Sequence, residues 1–287
     1  MNVLGISREE EEQQLQKILE VAQKNLERTE KRQAGLSEQL KEMLESFDAS
    51  DKEMQALWNN TESLFQESKR EILRSRKASK KPYFGRIDFT GAGLTEPESY
   101  YVGRAGISLD GVEPLVIDWR APIADLYYEG RLGEATYNCP AGEIKGEIKL
   151  KRQYFFNENG LENVMDIDIT TNDEMLQPFL SANSDTRLKN IISTIQAEQN
   201  RIIRSDMWQP LVVQGVAGSG KTTIALHRIA YLIYNYDKTF FPEEFLIIAP
   251  NKFFLNYISN VLPDLGVDRV GQSTYEEIAF DVIRKRI

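Results

Sequence analysis

The residues best suited to chemistry lie in one glycine-rich stretch, residues 215–222, which reads GVAGSGKT. It fits the pattern G-x-x-x-x-G-K-[ST], in which backbone amides and a helix N-terminus converge on the phosphates of a nucleotide. We expect Lys221, as the catalytic lysine, to contact the β- and γ-phosphate oxygens of ATP, and the Thr222 hydroxyl to ligate Mg²⁺. The predicted nucleotide-binding residues of this stretch are Gly215, Val216, Ala217, Gly218, Ser219, Gly220, Lys221, Thr222 and Thr223.

The segments on either side of the loop have the order that such a site requires. Residues 210–214 form an apolar run typical of a buried strand, and residues 223–236 have helical apolar spacing. We also predict a helix at 186–204 before the loop and, after it, a strand at 245–249, a helix at 252–262, a short strand near 267–270 and a helix at 275–286. This βαβαβα order predicts a parallel sheet with right-handed crossovers and the phosphate site at its carboxyl edge.

Composition excludes several other kinds of site. The chain of 287 residues has one cysteine, Cys139, and one histidine, His227, so internal disulfides, cysteine-based zinc sites and metal sites built from several histidines are ruled out. Its formal net charge of −9 provides no global basic field for nucleic acid, although a local basic groove stays possible. No apolar run approaches the ~20 residues of a membrane span, and the acidic N-terminus is unlike a signal peptide. We therefore expect a cytoplasmic protein that does not contact membranes.

Residues 7–80 have the pattern of two long helices. Apolar residues alternate spacings of four and three from Leu15 to Phe47 and again from Met54 to Ile72, with polar interruptions that leave the seam thin. A short turn at 48–50 predicts an antiparallel hairpin, which is either a spacer or dimerisation arm, or an arm that inserts into a cleft of a partner. Its tip is acidic, with Asp48, Asp51 and Glu53 as candidate partner-facing residues. Helix capping explains Asp51 and Glu53 equally well.

Between the hairpin and the loop the pattern becomes that of strands. Residues 83–89, 99–107, 115–119, 135–139 and 144–156 alternate and are rich in β-branched and aromatic residues, and a hairpin-type turn follows at 157–160. We predict a small antiparallel, barrel-like sheet over residues 82–168. Within it, Arg120 is placed to pair with Asp118 and to pack on Trp119, which we interpret as a structural corner.

The loop and the helix after it, residues 218–232 (GSGKTTIALHRIAYL), resemble those of superfamily 1 helicases of the UvrD/Rep type. The dipeptide at 198–199 is similar to the Q motif of that family, so the resemblance implies that Gln199 recognises the adenine edge and that Arg228 lies near the nucleotide. The segments at 249–251 and 272–275 are similar to motifs that contact single-stranded DNA. By that resemblance Pro250, Asn251 and Thr274 are candidate nucleic-acid contacts.

A closer resemblance runs over nearly the whole chain. The order of a helical hairpin, GRIDF at 85–89, DWRAPIA at 118–124, LKRQY at 150–154 and VQGVAGSGKT at 213–222 resembles the HelD family of helicase-like proteins associated with bacterial RNA polymerase. The resemblance implies a monomeric ATPase that binds the polymerase, inserts its arm into the secondary channel and helps release nucleic acid and recycle stalled enzyme. If the resemblance holds, the acidic residues at the tip of the arm are more strongly favoured as functional residues.

The resemblance implies three domains: a helical-hairpin arm with coiled-coil pairing at 1–80, a β-rich module at 81–185, and an incomplete first RecA-like P-loop domain of the α/β class at 186–287. No apolar strand ending in Asp-Glu follows the loop, and no second RecA-like domain follows the first, so the Walker B carboxylates and arginine fingers are missing. We expect a truncated chain, or the N-terminal part of a longer protein, with little or no ATPase activity alone.

Two other functions stay open at this point. One is a UvrD-type DNA-translocating helicase of repair that carries the hairpin as a decoration. The other is a non-catalytic scaffold whose P-loop is structural. The polymerase-associated factor is favoured over the repair helicase by the net negative charge of the chain. It is also favoured by the arm and the β-rich module, which precede the Q motif.

Overall fold

The computed structural model describes residues 8–45, 51–158, 160–167, 197–267 and 269–284. The chain divides into two compact units: Met1–Trp119 with Gly130–Ser193 form the first, and Arg120–Glu129 with Thr194–Ile287 form the second. Within the described ranges, no helix has both the length and the apolar character needed to cross a bilayer.

The first unit begins with the predicted pair of long helices, α1 (Arg8–Glu45) and α2 (Lys52–Lys80), which pack along each other. A salt bridge of 2.6 Å joins Arg76 of α2 to Glu30 of α1 and marks their antiparallel register. The seam is thin, as the sequence predicted. Its buried positions on α2 are Thr61, Ser68 and Ile72, and both hydroxyls donate to backbone carbonyls of their own helix.

The first half of α1 also belongs to the core of a β-sheet. Leu15, Ile18, Val21 and Ala22 are buried together with aromatic and aliphatic side chains of the strands. By contrast, none of residues 31–45 on α1 is buried. The predicted arm therefore has two parts: a proximal part that completes the sheet core, and a distal part whose packing partner is the other helix of the hairpin.

The sheet contains seven strands: β1 (Gly85–Gly91), β2 (Glu98–Gly103), β3 (Ile107–Leu109), β4 (Glu113–Asp118), β5 (Gly133–Cys139), β6 (Gly142–Asn157) and β7 (Gly160–Asp166). Their order is β3-β4-β2-β1-β6-β5, and β7 also pairs with β6. The sheet ends at β3 and β5 among the described strands, so the predicted barrel is wrong and the sheet is open.

The prediction of a purely antiparallel sheet is wrong at one pair. β2 and β4 are parallel, with Val102 opposite Ile117, because the predicted strand 99–107 is interrupted and its last part turns back as β3. The sequence also did not predict β7, although it predicted the turn before it. The remaining strands lie close to their predicted positions because alternation and turn residues mark them locally.

The second unit has a short 3₁₀ turn (Pro122–Ala124) followed by α3 (Asp125–Glu129), and then α4 (Ala197–Arg204), α5 (Lys221–Asn235), β8 (Leu246–Ala249), α6 (Lys252–Val261), β9 (Gly271–Thr274) and α7 (Tyr275–Arg284). As predicted, the strands after the loop are parallel, with Ala249 opposite Thr274. Residues 186–196 of the helix predicted before the loop lie outside the described residues.

Two predicted strands of this unit are wrong. Residues 210–214 form no strand, and Val212 is 82% exposed. The sheet described in this unit contains only β8 and β9, so this segment has no ladder partner there. The predicted strand near 267–270 begins later, at Gly271. Arg269 has a left-handed φ of 63°, which a continuous strand cannot contain.

Two glycines of the first unit should respond oppositely to substitution by alanine. Gly35→Ala adds a methyl group in open space within α1, so it should raise the free energy of unfolding by about 0.5–1 kcal/mol. Gly103→Ala places a Cβ 2.4 Å from the Pro82 carbonyl and 2.7 Å from Val116 Cγ1, so it should lower stability by about 1–3 kcal/mol. Denaturant unfolding followed by far-UV circular dichroism measures both. Equal stability of Gly103→Ala and the parent chain would contradict the packing described for β2.

Candidate functional site

Two glycines of the glycine-rich loop of the second unit have left-handed backbone conformations. Gly218 and Gly220 have φ values of 82° and 85°, in the left-handed region that favours glycine. At Gly215 a Cβ would lie 2.6 Å from Ser219 Oγ, so a larger residue here would require the Ser219 side chain to move. Val216 accepts a hydrogen bond from the Ser219 amide at 3.2 Å and closes the turn. Residues 215–219 are exposed, so the loop is open to solvent.

Lys221 begins α5, and its side chain folds back into the loop. Its Nζ donates to the carbonyls of Gly215 and Val216, both at 2.8 Å. Thr222 and Thr223 lie half-buried in the first turn of α5, and the first helical hydrogen bond runs from the Ile224 amide to the Gly220 carbonyl. The amides of the first turn thus have no intrahelical acceptor and carry the positive end of the helix dipole.

These groups fit a polyphosphate. An ammonium group, a helix N-terminus and two threonine hydroxyls lie within a few residues, and residues 215–224 contain no carboxylate to repel an anion. A phosphate here would take the place of the loop carbonyls as the partner of Lys221. Neither described strand of this unit, ending at Ala249 and Thr274, is followed directly by a carboxylate.

Arg228, which the sequence resemblance placed near the nucleotide, binds the end of α4. Its guanidinium donates to the carbonyls of Ile202, Ile203, Ser205 and Asp206 over 2.8–3.1 Å, and to the Ser205 hydroxyl. A cation at a helix C-terminus satisfies carbonyls that have no intrahelical donor. Burial lowers the pKa of Arg228. These contacts give Arg228 a structural role in joining α4 to α5.

Gln199, the predicted adenine-recognition residue, lies half-buried on α4, which packs on α5. Its neighbour Asn200 is buried and donates to Asp125 Oδ1 at 2.5 Å. Arg204 of the same helix lies 3.3 Å from that carboxylate. Burial, the largest effect, raises the pKa of Asp125. The start of α3 is therefore bonded to the helix that precedes the loop.

Two further contacts join residues 120–129 to α4 and α5. Arg120, predicted to form a corner with Asp118 and Trp119, has its guanidinium 4.6 Å from the centre of the Tyr234 ring of α5. Arg201 forms a 3.0 Å salt bridge with Glu129. Sequence reasoning did not find these contacts, since the partners lie more than 70 residues apart. Residues 120–129, which lie between β4 and β5 in the chain, therefore belong to the unit that carries the glycine-rich loop.

The three candidate nucleic-acid contacts lie at one edge of the β8–β9 pair. Asn251 caps α6 by accepting a hydrogen bond from the Phe254 amide at 2.9 Å, and Pro250 beside it is exposed. Thr274 is buried and caps α7, where Glu277 Oε2 accepts from the Thr274 amide at 3.1 Å. The hydrogen bond from Lys252 is the main reason why the pKa of Glu277 falls to about 2. Capping therefore accounts for Asn251 and Thr274 without a nucleic acid.

At the tip of the arm, Asp48 lies outside the described residues. Asp51 is the N-cap of α2 and accepts hydrogen bonds from the amides of Glu53 and Met54 at 2.9 and 3.2 Å. Glu53 is exposed in the first turn of α2. The described ranges contain no group of three or more histidine, cysteine or acidic residues that could hold a metal ion.

The base of the arm contains a buried polar group that sequence reasoning missed. Glu11 of α1 is 1% exposed, and its Oε1 accepts from Arg86 at 3.0 Å, Arg152 at 2.8 Å and the Tyr154 hydroxyl at 2.7 Å. Its Oε2 accepts from the Tyr101 hydroxyl at 3.1 Å. We call Glu11 and these four donors the Glu11 cluster. It bonds α1 to β1, β2 and β6.

Two further carboxylates complete the ion pairing of the Glu11 cluster. Asp88 binds Arg86 through two hydrogen bonds of 2.7 and 2.8 Å, and Asp166 binds Arg152 at 2.5 and 3.1 Å. Burial by itself would lower the pKa of Arg86, but the bond to Asp88 and the other nearby groups raise it. The signal in the sequence was Arg86 and Asp88 two residues apart in an otherwise apolar strand, which places both on one face.

Comparison with known proteins identifies the region built around this cluster. Residues 8–177 match the family described as DNA helicase IV HelD, N-terminal domain. The match covers more than half of the chain and includes α1, α2, α3 and all seven strands of the first unit. No curated protein matches the chain.

The contacts of Arg228 lead to a test of its role. Arg228→Lys keeps the positive charge, but one ammonium group cannot make most of the hydrogen bonds that the guanidinium makes to the carbonyls at the end of α4. The thermal midpoint of the second unit should therefore fall by several degrees. At a temperature where the variant is folded, its affinity for an ATP analogue should change by less than about threefold, because binding at the loop does not need this side chain. Differential scanning calorimetry and equilibrium nucleotide binding measure the two effects. A tenfold loss of affinity in the folded variant would assign Arg228 to the nucleotide instead.

Proposed function

Because the chain belongs to the HelD family through its N-terminal domain, we propose that it is the ATP-binding part of a HelD-like factor of bacterial RNA polymerase. In this proposal the distal hairpin enters the secondary channel of the polymerase, and the factor promotes release of nucleic acid and recycling of stalled enzyme. The observation that carries the proposal is that the matched region is the hairpin together with the sheet that holds its base.

The geometry of the hairpin supports insertion into a narrow channel. Residues 31–45 of α1 form about 15 residues of helix, roughly 22 Å long, and none of them is buried. A pair of helices is a slender element, and its exposed side chains include Leu44 and Leu57 near the tip. Large exposed apolar side chains on a narrow element favour contact with another macromolecule.

The glycine loop supports ATP as the ligand of the second unit. We assign the phosphates to the first-turn amides of α5 and to Lys221, and Mg²⁺ to the Thr222 hydroxyl. ATP would supply the free energy for changes between bound states of the factor. Because no carboxylate directly follows β8 or β9, we propose that hydrolysis by this chain alone is slow.

A UvrD/Rep-type helicase is the second candidate function. It is favoured by the exposed Pro250 and Asn251 at the carboxyl edge of parallel strands. Binding of single-stranded DNA with ATP-dependent movement, in the absence of any affinity for RNA polymerase, would select it.

Removal of the Lys221 ammonium tests the nucleotide site. Lys221→Ala should weaken binding of a fluorescent, non-hydrolysable ATP analogue by about 10- to 100-fold, because a charge-assisted hydrogen bond is worth about 1.5–3 kcal/mol. Lys238→Ala, an exposed lysine of the same unit beyond α5, is the matched control and should bind like the parent chain. Equal affinity of all three proteins would show that the loop has a structural role only.

Shortening the hairpin tests the arm. Residues 34–72 can be replaced by a short glycine-serine loop, which keeps Leu15–Leu26 in the sheet core and the Glu30–Arg76 salt bridge. We expect this variant to remain folded and to bind the ATP analogue normally. It should lose at least tenfold in affinity for RNA polymerase core enzyme, measured by surface plasmon resonance.

Removal of all of residues 7–80 would not serve this purpose, because it also removes Glu11 and the apolar residues of α1 from the core. If the shortened chain bound polymerase as tightly as the parent, the arm would not be the docking element. If the parent chain itself did not bind, the polymerase assignment would fail.

A further inference from the structure

We infer that the C-terminal part of α2 binds the phosphate backbone of duplex nucleic acid. Residues 69–81 contain seven lysines and arginines and one acid, Glu71, in a chain whose formal net charge is −9. We call the seven cations the basic stripe: Lys69, Arg70, Arg74, Arg76, Lys77, Lys80 and Lys81. The inference goes beyond the proposed function and does not rest on it, since the chain can be tested with DNA alone.

The basic stripe lies on the solvent face of α2. Because successive residues of a helix are turned by about 100°, the six cations within α2 fall inside an arc of about 160°. The buried residues of the helix, Thr61, Ser68 and Ile72, lie outside this arc, on the side that packs on α1. Arg70 is half-buried, and the other cations of the stripe are exposed. The charges are therefore presented to solvent rather than used in the seam of the hairpin.

The preceding part of α2 has the opposite charge. Residues 52–68 contain one lysine, Lys52, and three acids, Glu53, Glu62 and Glu67. A surface whose charges serve only solubility has both signs interspersed. The segregation along one helix instead produces a local positive field on an acidic protein, which is the electrostatic condition for binding a polyanion.

Stabilisation of the helix end accounts for only part of the stripe. Cations favour the last turn of a helix, and Lys77 and Lys80 lie there. Arg74 lies nearly two turns before the end of α2, and Lys69 and Arg70 lie about three turns before it, beyond the reach of this effect. Arg76 forms a 2.6 Å salt bridge with Glu30, but its side chain is still 60% exposed, and such exposed pairs contribute little to stability.

The composition of the stripe favours phosphates over an acidic protein surface. Protein interfaces are enriched in aromatic residues and depleted in lysine. Four of the seven cations are lysines, and no residue of 69–81 is aromatic. Leu73 is the one exposed apolar side chain among them. A membrane surface is not favoured either, because the apolar face that would enter it packs on α1.

The same composition favours a duplex over a single strand. Proteins that bind single strands stack the bases on aromatic side chains, which the stripe lacks. Residues 69–80 cover about 16 Å of helix, a distance over which a duplex presents roughly ten phosphates. Contacts to phosphates carry no sequence information. We therefore expect binding that is independent of sequence and sensitive to salt.

Fluorescence anisotropy with a labelled DNA duplex of about 20 base pairs measures this binding. If four phosphates are neutralised, the affinity of the parent chain should fall about 100-fold between roughly 50 and 200 mM salt. The stripe variant combines Lys69→Gln, Arg70→Gln, Arg74→Gln and Lys77→Gln. Glutamine has a similar helix propensity, and the Arg76 salt bridge is kept. This variant should bind the duplex at least tenfold more weakly, with a salt slope smaller by about 2–4.

A matched variant separates the stripe from the overall charge of the chain. Lys17→Gln, Lys145→Gln, Lys149→Gln and Lys238→Gln change four exposed lysines and alter the net charge equally. This control should bind the duplex within about threefold of the parent. An equal loss of affinity in the control would overturn the inference. So would parent-like affinity of the stripe variant, or failure of the parent to bind at about 50 mM salt.

An acidic protein partner would give a different result. If the stripe variant bound the duplex like the parent but lost affinity for RNA polymerase, the stripe would contact the protein and the nucleic-acid inference would be wrong. If the parent did not bind polymerase but bound the duplex through the stripe, the proposed function would fail and this inference would stand.

Crosslinking locates the duplex without changing any charge, so it also covers the case in which the stripe variant does not fold. Leu73 lies among the cations and is 53% exposed, and Leu57 lies in the preceding part of α2 and is 56% exposed. A benzophenone side chain at Leu73 should crosslink to the bound duplex, and one at Leu57 should not. Absence of a crosslink from Leu73, with the duplex bound, would place the DNA elsewhere and overturn the inference.

Discussion

The first unit depends on one buried carboxylate. Glu11 joins the N-terminal helix to strands 75 and 141 residues further along the chain, through two arginines that are themselves paired with aspartates. Removing one partner of such a buried ion pair is strongly destabilising, because the other charge stays buried without its partner. The arm is consequently part of the sheet structure at its base, whereas none of residues 31–45 in its distal half is buried.

The second unit uses buried polar contacts in a similar way. Arg228 closes the end of α4 against α5, and Asn200 and Arg204 bind Asp125 at the start of α3. The helix that carries Lys221 is thereby bonded to a segment whose two ends continue into β4 and β5.

Local signals explain what could be predicted from the sequence. The two long helices follow from heptad spacing and the Asp51 cap, and the left-handed Gly218 and Gly220 follow from the loop pattern. Contacts between residues far apart in the chain could not be predicted from the sequence. Residues 210–214 have strand composition but no ladder partner among the described strands. Nothing local in the sequence distinguishes Glu11, because its partners come from three strands. Arg228 was assigned by resemblance to the nucleotide, whereas its observed contacts are helix-end carbonyls.

Site-specific photo-crosslinking to RNA polymerase tests most directly whether the distal hairpin is the element that enters the enzyme. A benzophenone side chain replaces Leu44 near the tip, which is 66% exposed, and in a separate protein it replaces Val112 on the β3–β4 turn, which is 86% exposed. We expect Leu44 to crosslink to residues that line the secondary channel and Val112 to give no crosslink there. Absence of a channel crosslink from Leu44, under conditions where the complex has formed, would contradict the central claim.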